Sequence, residues 1–362
     1  MICLGLETSC DETAAAVVEV GDPEERFAEG VTRMENGAAR PVPGLTDRIR
    51  ANIVASQVDL HQAFGGVVPE IACRAHVELI TRVVEGALRE AGVALDDLDA
   101  VATANRPGLI GALLIGLTAA KTLAWVADLP LVDVDHLQAH VYANILADGP
   151  VEFPAVALVV SGGHSTLFLV RDVVHFERLG GTTDDAAGEA FDKVSSLLSL
   201  GYPGGPAIER CARNGDRTKY HLPRADLGPD RLDFSFSGVK TAVRYLLKGQ
   251  DARTPAPPEI SDRTRADVAA SFQEAVVDAL VERTVAAAER TNVGTILLGG
   301  GVAANGRLRE VMASAAHAVG RTVRWPPVGL CTDNAAIVAG LACHRLQRGI
   351  TAAFDLEAIS RV

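Results

Sequence analysis

VALVVSGGHST, residues 156–166, decides how this chain is read. The apolar, largely β-branched run at 156–160 predicts a buried strand. It breaks into Ser161-Gly162-Gly163-His164, and Ser165-Thr166 lead into a second β-like run through residue 170. Glycine lets backbone N–H groups turn outward and approach a ligand closely. The first twenty residues repeat the pattern: ICLGL at 2–6, the small polar segments ETS at 7–9 and DET at 11–13, then an apolar return run at 14–20. Both turns carry hydroxyls and both are followed by a return strand, which predicts a duplicated α/β unit rather than two unrelated β-turns.

A chain of 362 residues exceeds a single typical core, so two lobes are expected. Hydrophobic residues make up 48% against 22% charged, which excludes a disordered chain. The net charge of −12 excludes nucleic-acid binding by bulk attraction, so any RNA contact needs a local basic patch or a partner. None of the six cysteines stands in a C-x-x-C pair, so neither a zinc knuckle nor a disulfide framework is indicated, and reduced thiols in the cytoplasm are expected. The chain opens on a strand pattern, so no signal peptide is expected. Residues 109–126 are apolar enough to consider a membrane span, but Lys121 interrupts them and Gly111 and Gly116 suit close packing, which predicts a buried helix.

Along the chain, residues 21–50 are rich in glycine, proline and charge and read as an irregular insertion. Order is expected again over 53–64. Ile71, Ala75, Leu79, Val83 and Ala87 recur every four residues and predict a helix over 70–92. Strands are expected at 98–104, 131–134, 295–298 and 321–325, and helices from His136, over 186–200, after 234–238 and over 333–348. Ser261 is placed to cap a helix over 262–290 with the stripe Val268, Phe272, Val276 and Leu280, preceded by a proline-rich link at 251–258. Strand and helix alternate throughout, which defines the α/β class.

His136-Leu137-Gln138-Ala139-His140 puts two imidazoles at i and i+4, one helix face, the spacing of two ligands on one metal. Two unrelated surface histidines give the same pattern. The zinc-peptidase pattern needs a glutamate beside the first histidine, where Leu137 stands, so a peptidase is disfavoured. Asp333 is a candidate third ligand, and two histidines with one carboxylate suit Fe(II) or Zn²⁺. GGGVAAN at 299–305 fits G-x-G-x-x-A, but residues 319–325 lack the ribose-binding acid, so NAD is discounted and a glycine turn beneath an adenine or phosphate stays open. No G-x-x-x-x-G-K-[ST] is present, which excludes a P-loop enzyme. The segment 183–193 is dense in acids. Most of these favour a helix dipole, whereas Asp192 lies deeper and could accept bonds from ribose hydroxyls.

Taken together, ETSCDET (7–13), GGVVPE (65–70), HLQAH (136–140), VSGGH (160–164), DDAAGEAFDK (184–193), YPGGP (202–206), FSFSGVKT (234–241), GGGVAAN (299–305) and CTDNA (331–335) resemble the TsaD/Kae family, in family order from one end of the chain to the other. These are tRNA N6-adenosine threonylcarbamoyltransferases, formerly called O-sialoglycoprotein endopeptidases. The resemblance implies an actin/hexokinase-like (ASKHA) duplicated, ribonuclease-H-like, two-lobed α/β fold. Its lobes are expected at 1–155 and 156–332, with the helix at 333–362 packing back on the first. It implies an acyltransferase, N6-L-threonylcarbamoyladenine synthase. The threonylcarbamoyl group would pass from threonylcarbamoyl-AMP to N6 of the adenosine next to the anticodon of tRNA, with an ATP-dependent switch or kinase on the same fold as the alternative.

The resemblance further implies that His136, His140 and Asp333 hold Fe(2+) or Zn(2+). Val159, Val160, Ser161, Gly162, Gly163, Asp192, Gly205, Glu209 and Asn305 would hold the adenylate, with Asp11 and Glu12 as catalytic acids near the reaction centre. Accessory proteins of the TsaB and TsaE types are the expected partners in a bacterium, and a cytoplasmic, non-membrane location is expected. Arg106, in Asn105-Arg106-Pro107-Gly108, stands where the family usually has glycine before the proline, Cys73 replaces a usual serine, and the insertion at 21–50 is longer than usual. Two basic clusters, Arg210, Arg213, Arg217, Lys219 and Arg224, then Lys240, Arg244 and Lys248, are expected to flank the tRNA approach.

Overall fold

The fold begins with a hairpin. Ile2–Glu7 (β1) and Glu12–Glu19 (β2) pair antiparallel, and almost every residue of both is buried. The computed structural model describes residues 1–21, 48–228, 230–249 and 260–361, together with the short strand pair 34–35 and 38–39. The rest of the expected insertion at 21–50, apart from Gly21 and the strand residues 48–50, lies outside the described residues, as does the link at 251–258. The chain divides into two units: Met1–Leu60, Val67–Val151 and Thr332–Val362, and His61–Gly66 with Glu152–Cys331.

In the first unit, Arg48–Ser56 (β3) extends the hairpin antiparallel, and Ala100–Arg106 (β4) and Leu131–Asp135 (β5) add parallel strands, giving the order β3-β2-β1-β4-β5. Pro69–Ala91 (α1), Ile110–Val126 (α2) and His136–Asp148 (α3) follow β3, β4 and β5 respectively. Ala335–Gln347 (α9) returns to this unit and packs on β1 so closely that a Cβ at Gly5 would fall 2.6 Å from Ala339 N. The core joins Leu4, Leu6 and Val17 to Val83, Ala87, Ala120 and Ala124. The buried face of α1 runs through Ala72, Ala75, His76, Val83 and Ala87, so Ile71 and Leu79 of the expected stripe sit at its margin, half-buried. Helix α2 buries Ala112, Leu113, Gly116 and Leu117 and exposes Ile110, Leu114 and Trp125, so among the described residues it is covered on one face only and not buried all round as expected. No described helix is long and apolar enough to cross a membrane.

The second unit repeats the scheme. Ala155–Val160 (β6), Ser165–Asp172 (β7) and His175–Gly181 (β8) are antiparallel, and Thr295–Gly299 (β9) and Thr322–Arg324 (β10) are parallel, in the order β8-β7-β6-β9-β10. Strand for strand this is the order of the first sheet, so the duplication is real at the level of topology. Helices Ala187–Leu197 (α4), Gly204–Ala212 (α5), Ser237–Lys248 (α6), Asp262–Arg290 (α7) and Gly306–Ala318 (α8) surround it. Ser261 caps α7 by accepting from Thr264 N at 3.1 Å, and Val268, Phe272, Val276 and Leu280 are all buried. The core stacks Phe191, Phe234, Phe236 and Phe272 against Val156, Leu158, Leu167, Ile296 and Leu298.

Candidate metal centre and glycine cradle

Strand β5 ends at Asp135, whose Oδ1 accepts from the N–H groups of Leu137 at 2.9 Å and Gln138 at 3.2 Å. That cap fixes the first turn of α3 and makes His136 its first residue. His136 Nδ1 lies 2.9 Å from Glu7 Oε2 and 3.3 Å from Ser9 Oγ. A proton on Nδ1 shared with Glu7 leaves Nε2 as the lone-pair nitrogen. His136 Nε2 is 3.6 Å from Asp333 Oδ1, and His140 Nε2 is 3.1 Å from the same oxygen. The two rings meet edge to face with centroids 4.5 Å apart. Asp333 lies two residues before α9, in the turn that Asn334 caps by accepting from Ile337 N at 3.3 Å, so the last helix starts later than the expected 333.

The three potential ligand atoms lie within 4.8 Å of one another, and this trio could hold a metal ion. Three lone-pair donors converging in a buried place repel one another unless a proton or a cation sits among them. Burial disfavours the imidazolium of His136, but Glu7 and then Asp333 outweigh it and push the ring up to about 10. The cluster therefore calls for positive charge. Two imidazole nitrogens and one carboxylate oxygen suit a divalent transition metal. His140 Nδ1 is buried without a hydrogen-bond partner among the described residues. Beside the trio, burial and the charges of Asp333 and Asp11 push Glu12 up to about 9, while its Oε1 accepts from Ser56 Oγ at 3.3 Å. Burial, with Asp11 and Asp333, also pushes the Cys10 thiol well up.

The sequence pattern did not single out Glu7, Ser9 or Asp135. Glu7 and Ser9 stand in the same turn as Asp11 and Glu12, and Asp135 immediately precedes His136. Their position was visible, but which atom each would meet was not.

In the second unit, the turn after β6 is closed by Ser161 N donating to His164 O at 2.8 Å. Three glycines bring backbone against backbone around it. A Cβ at Gly188 would sit 2.5 Å from Ser161 O, one at Gly300 would sit 2.3 Å from Val160 O, and one at Gly204 would sit 2.5 Å from Asp192 Cα. Gly162, Gly163 and Gly205 have open space where a Cβ would be. Val159 and Val160 are fully buried strand residues, so only their backbone can face a ligand.

Several expected ligand side chains already have protein partners. Asn305 caps α8 by accepting from Leu308 N at 3.0 Å and donates to Gln273 Oε1 at 2.9 Å. Glu209 Oε1 accepts from Gly306 N at 3.2 Å, at the same helix start. Asp192 Oδ1 accepts from Gly204 N at 2.7 Å. Asp184 accepts from Phe236 N at 2.8 Å and Ser237 N at 3.2 Å, and Asp185 pairs with Lys193 at 2.9 Å and with Lys240. These last two acids tie the loop before α6 to the loop before α4. Lys240 in turn pairs with Asp185, and Arg224 with Asp278.

Two copies of one five-stranded topology place the chain in the actin/hexokinase-like class. Full-length HypF in its phosphate- and nucleotide-bound form shares the fold, with a TM-score of 0.57 at 14% identity over 98% of this chain and 47% of that one. Within that class the chain belongs to the TsaD family, the tRNA N6-adenosine threonylcarbamoyltransferases, whose family profile matches residues 48–340. Among its relatives of that name, the protein of Symbiobacterium thermophilum is 50% identical over 99% of this chain and 95% of its own length. Those of Magnetococcus marinus and Bacillus cereus are 46% and 47% identical, each over 99% of this chain and over 96% and 95% of their own lengths. The chain is thus an acyltransferase that transfers a threonylcarbamoyl group to tRNA, and the switch or kinase alternative is not favoured.

Proposed function

We propose that the donor is threonylcarbamoyl-AMP and the acceptor is N6 of the adenosine next to the anticodon. The amine attacks the carbamoyl carbon of the mixed anhydride, the bond from that carbon to the phosphate oxygen breaks, and AMP leaves. His136, His140 and Asp333 hold one Fe(2+) or Zn(2+), which when bound supplies Lewis acidity and a template for the donor. Glu7 fixes His136 through Nδ1. Glu12 stands close enough to Asp333 and Asp11 to feel their charges, and Asp11 and Glu12 act near the reaction centre. Backbone N–H groups of the turn at 161–163 and the open faces of Gly162, Gly163 and Gly205 receive the adenylate. Asn305, Glu209 and Asp192 shape that cradle, holding α8 and α5 in place as well as offering oxygens.

The observation that carries this reading is the meeting of two imidazole nitrogens on one carboxylate oxygen, with Glu7 behind the first ring. The partner reading is supported by exposed Val77, Ile110 and Leu114, apolar side chains beside the tight crossing where Cys73 faces Gly111. Accessory proteins of the TsaB and TsaE types would cover such a surface, in the cytoplasm. For tRNA, Arg210 of the first basic cluster lines an open cavity of about 640 Å³ together with Arg263, Arg265, Asn214 and Asp262. Phosphates entering there would meet Arg213, Arg217 and Lys219 on the adjoining loop. Metal analysis tests the core of the proposal: one transition metal per chain is expected, and its loss is expected in His140→Ala. Stoichiometric metal in that variant overturns the assignment.

A further inference from the structure

Behind the histidines lies a group of charges that the reaction does not use. Arg106 ends β4 and faces Asp135 across the ladder because the register shifts between Ala104 and Arg106. Such an irregularity re-aims the side chains around it. Asn105, at the shift, is drawn elsewhere: its Nδ2 donates to Glu357 O at 3.1 Å and its carbonyl accepts from Ile359 N at 2.9 Å. Arg106 then reaches two carboxylates, with Nη1 3.2 Å from Asp133 Oδ2 and Nε 3.5 Å from Asp135 Oδ2. Asp133 Oδ1 accepts from Arg345 Nη2 at 2.7 Å. Two arginines and two aspartates balance in charge, and side-chain exposure runs only from 5% at Asp135 to 26% at Arg106.

We infer that Arg106 is a positioning residue for the metal centre, acting through Asp135 and, by way of Asp133 and Arg345, through the helix that follows Asp333. Arg106 engages Oδ2 of Asp135, which leaves Oδ1 to the two amides that start α3. The carboxylate is thereby held in one rotamer, and the helix start at His136 with it. Arg345 lies on α9, whose first residue comes two after Asp333. Arg106 therefore connects, directly through Asp135 and by way of Asp133 and Arg345, the helix that carries His136 and His140 and the helix that begins two residues after Asp333. Arginine can bridge two carboxylates with a rigid planar fork, which a lysine ammonium does not reproduce.

The inference rests on the metal site proposed above, and Zn²⁺ binding separates the two. Zn²⁺ affinity is measured by competition with a chelating indicator for the parent chain, Arg106→Ala, Arg106→Lys and Asp135→Asn, alongside thermal midpoints and kcat and KM for transfer. Weakening by about 10-fold is expected in Arg106→Ala, within the range for partners behind metal ligands. Arg106→Lys should recover part of it, and kcat should fall while KM for tRNA stays. Adding Arg106→Ala to Asp135→Asn should weaken binding by less than the two separate effects combined, because they share the route through Asp135. Parent-level Zn²⁺ affinity in a folded Arg106→Ala protein, or full additivity with Asp135→Asn, overturns this inference alone. No Zn²⁺ binding by the parent overturns the metal site as well. Should Arg106→Ala not fold, an Arg106→Lys protein that folds with unchanged affinity and kcat also overturns it.

Discussion

Replacing Glu7 by glutamine tests the metal centre without touching a ligand. Glu7 is completely buried, and its two oxygens have separate tasks: Oε1 accepts from Ser9 N at 2.5 Å and Oε2 faces His136 Nδ1 at 2.9 Å. Glutamine has one acceptor and one donor end. If its carbonyl keeps Ser9 N, its NH₂ meets His136 Nδ1, which must then become the lone-pair nitrogen and move the proton to Nε2. That is the nitrogen turned to Asp333, and protonated it cannot bind a metal. If the amide flips instead, His136 keeps its tautomer but Ser9 N loses its acceptor, leaving a buried donor at a cost of about 1–3 kcal/mol. Either route penalises the metal-bound form, and removal of such a partner typically weakens metal binding 10- to 100-fold. That equals about 1.4–2.8 kcal/mol. Glu7→Gln should therefore bind Zn²⁺ 10- to 100-fold less tightly by chelator competition, with a slower transfer rate that excess metal partly restores. Affinity within a factor of about two of the parent would refute the reasoning that Glu7 sets the tautomer.

Other expectations follow from the same geometry. Burial with Asp333 and Asp11 raises Glu12 to about 9, and Glu7 with Asp333 raises His136 to about 10 against the effect of burial. In the fold both groups keep protons that the unfolded chain has released above 4.5 and 6.5. Metal-free protein should thus lose stability as pH rises, from about 4.5 through 9 on account of Glu12 and from about 6.5 through 10 on account of His136, and bound metal should flatten the His136 part, since it takes the proton's place there. Urea midpoints across this range, with and without chelator, check the sign. Asn305→Ala removes a helix cap and strands Gln273 Oε1, so it should cost about 1–2 kcal/mol in denaturant unfolding besides weakening the adenylate. Gly188→Ala drives a Cβ to 2.5 Å from Ser161 O and should cost about 1–3 kcal/mol. It should lower adenylate affinity while metal content stays at the parent level by elemental analysis. Reversing Arg217 and Lys219 to glutamate should weaken tRNA binding and flatten its dependence on salt in a filter-binding series, because each lost phosphate contact removes released counterions.

The two sheets were legible because central strands such as 156–160 are apolar on both faces. The edge strand β8 escaped because HFERLGG exposes His175, Glu177 and Arg178, ends on two glycines and is shifted in register at two places. The edge strand β3 hid its first residues, Arg48–Arg50, behind arginines that read as loop. Helix α5 opens on Gly204-Gly205-Pro206, residues that end a helix as readily as they begin one, so a stop was read where a start exists. The metal trio was legible in part: i,i+4 spacing pairs His136 with His140, but nothing local ties them to Asp333, almost two hundred residues later. Glu7 and Arg106 were out of reach for the same reason, since each depends on strand register. The acids at 184–185 read as favouring the dipole of α4, and composition does not reveal that they also tie the loop before α6 to the loop before α4.

The central claim is metal-centred transfer of a threonylcarbamoyl group to tRNA adenosine. Its most direct test is a transfer assay with threonylcarbamoyl-AMP carrying labelled threonine, metal-loaded protein, accessory proteins and tRNA, read as labelled nucleoside by mass spectrometry. The account predicts labelled N6-threonylcarbamoyladenosine from the parent, about a thousandth as much or less from His140→Ala on the scale of a lost essential group, and AMP released in equal amount to the product. Parent-level labelling by metal-free His140→Ala, or none by the metal-loaded parent, would contradict it.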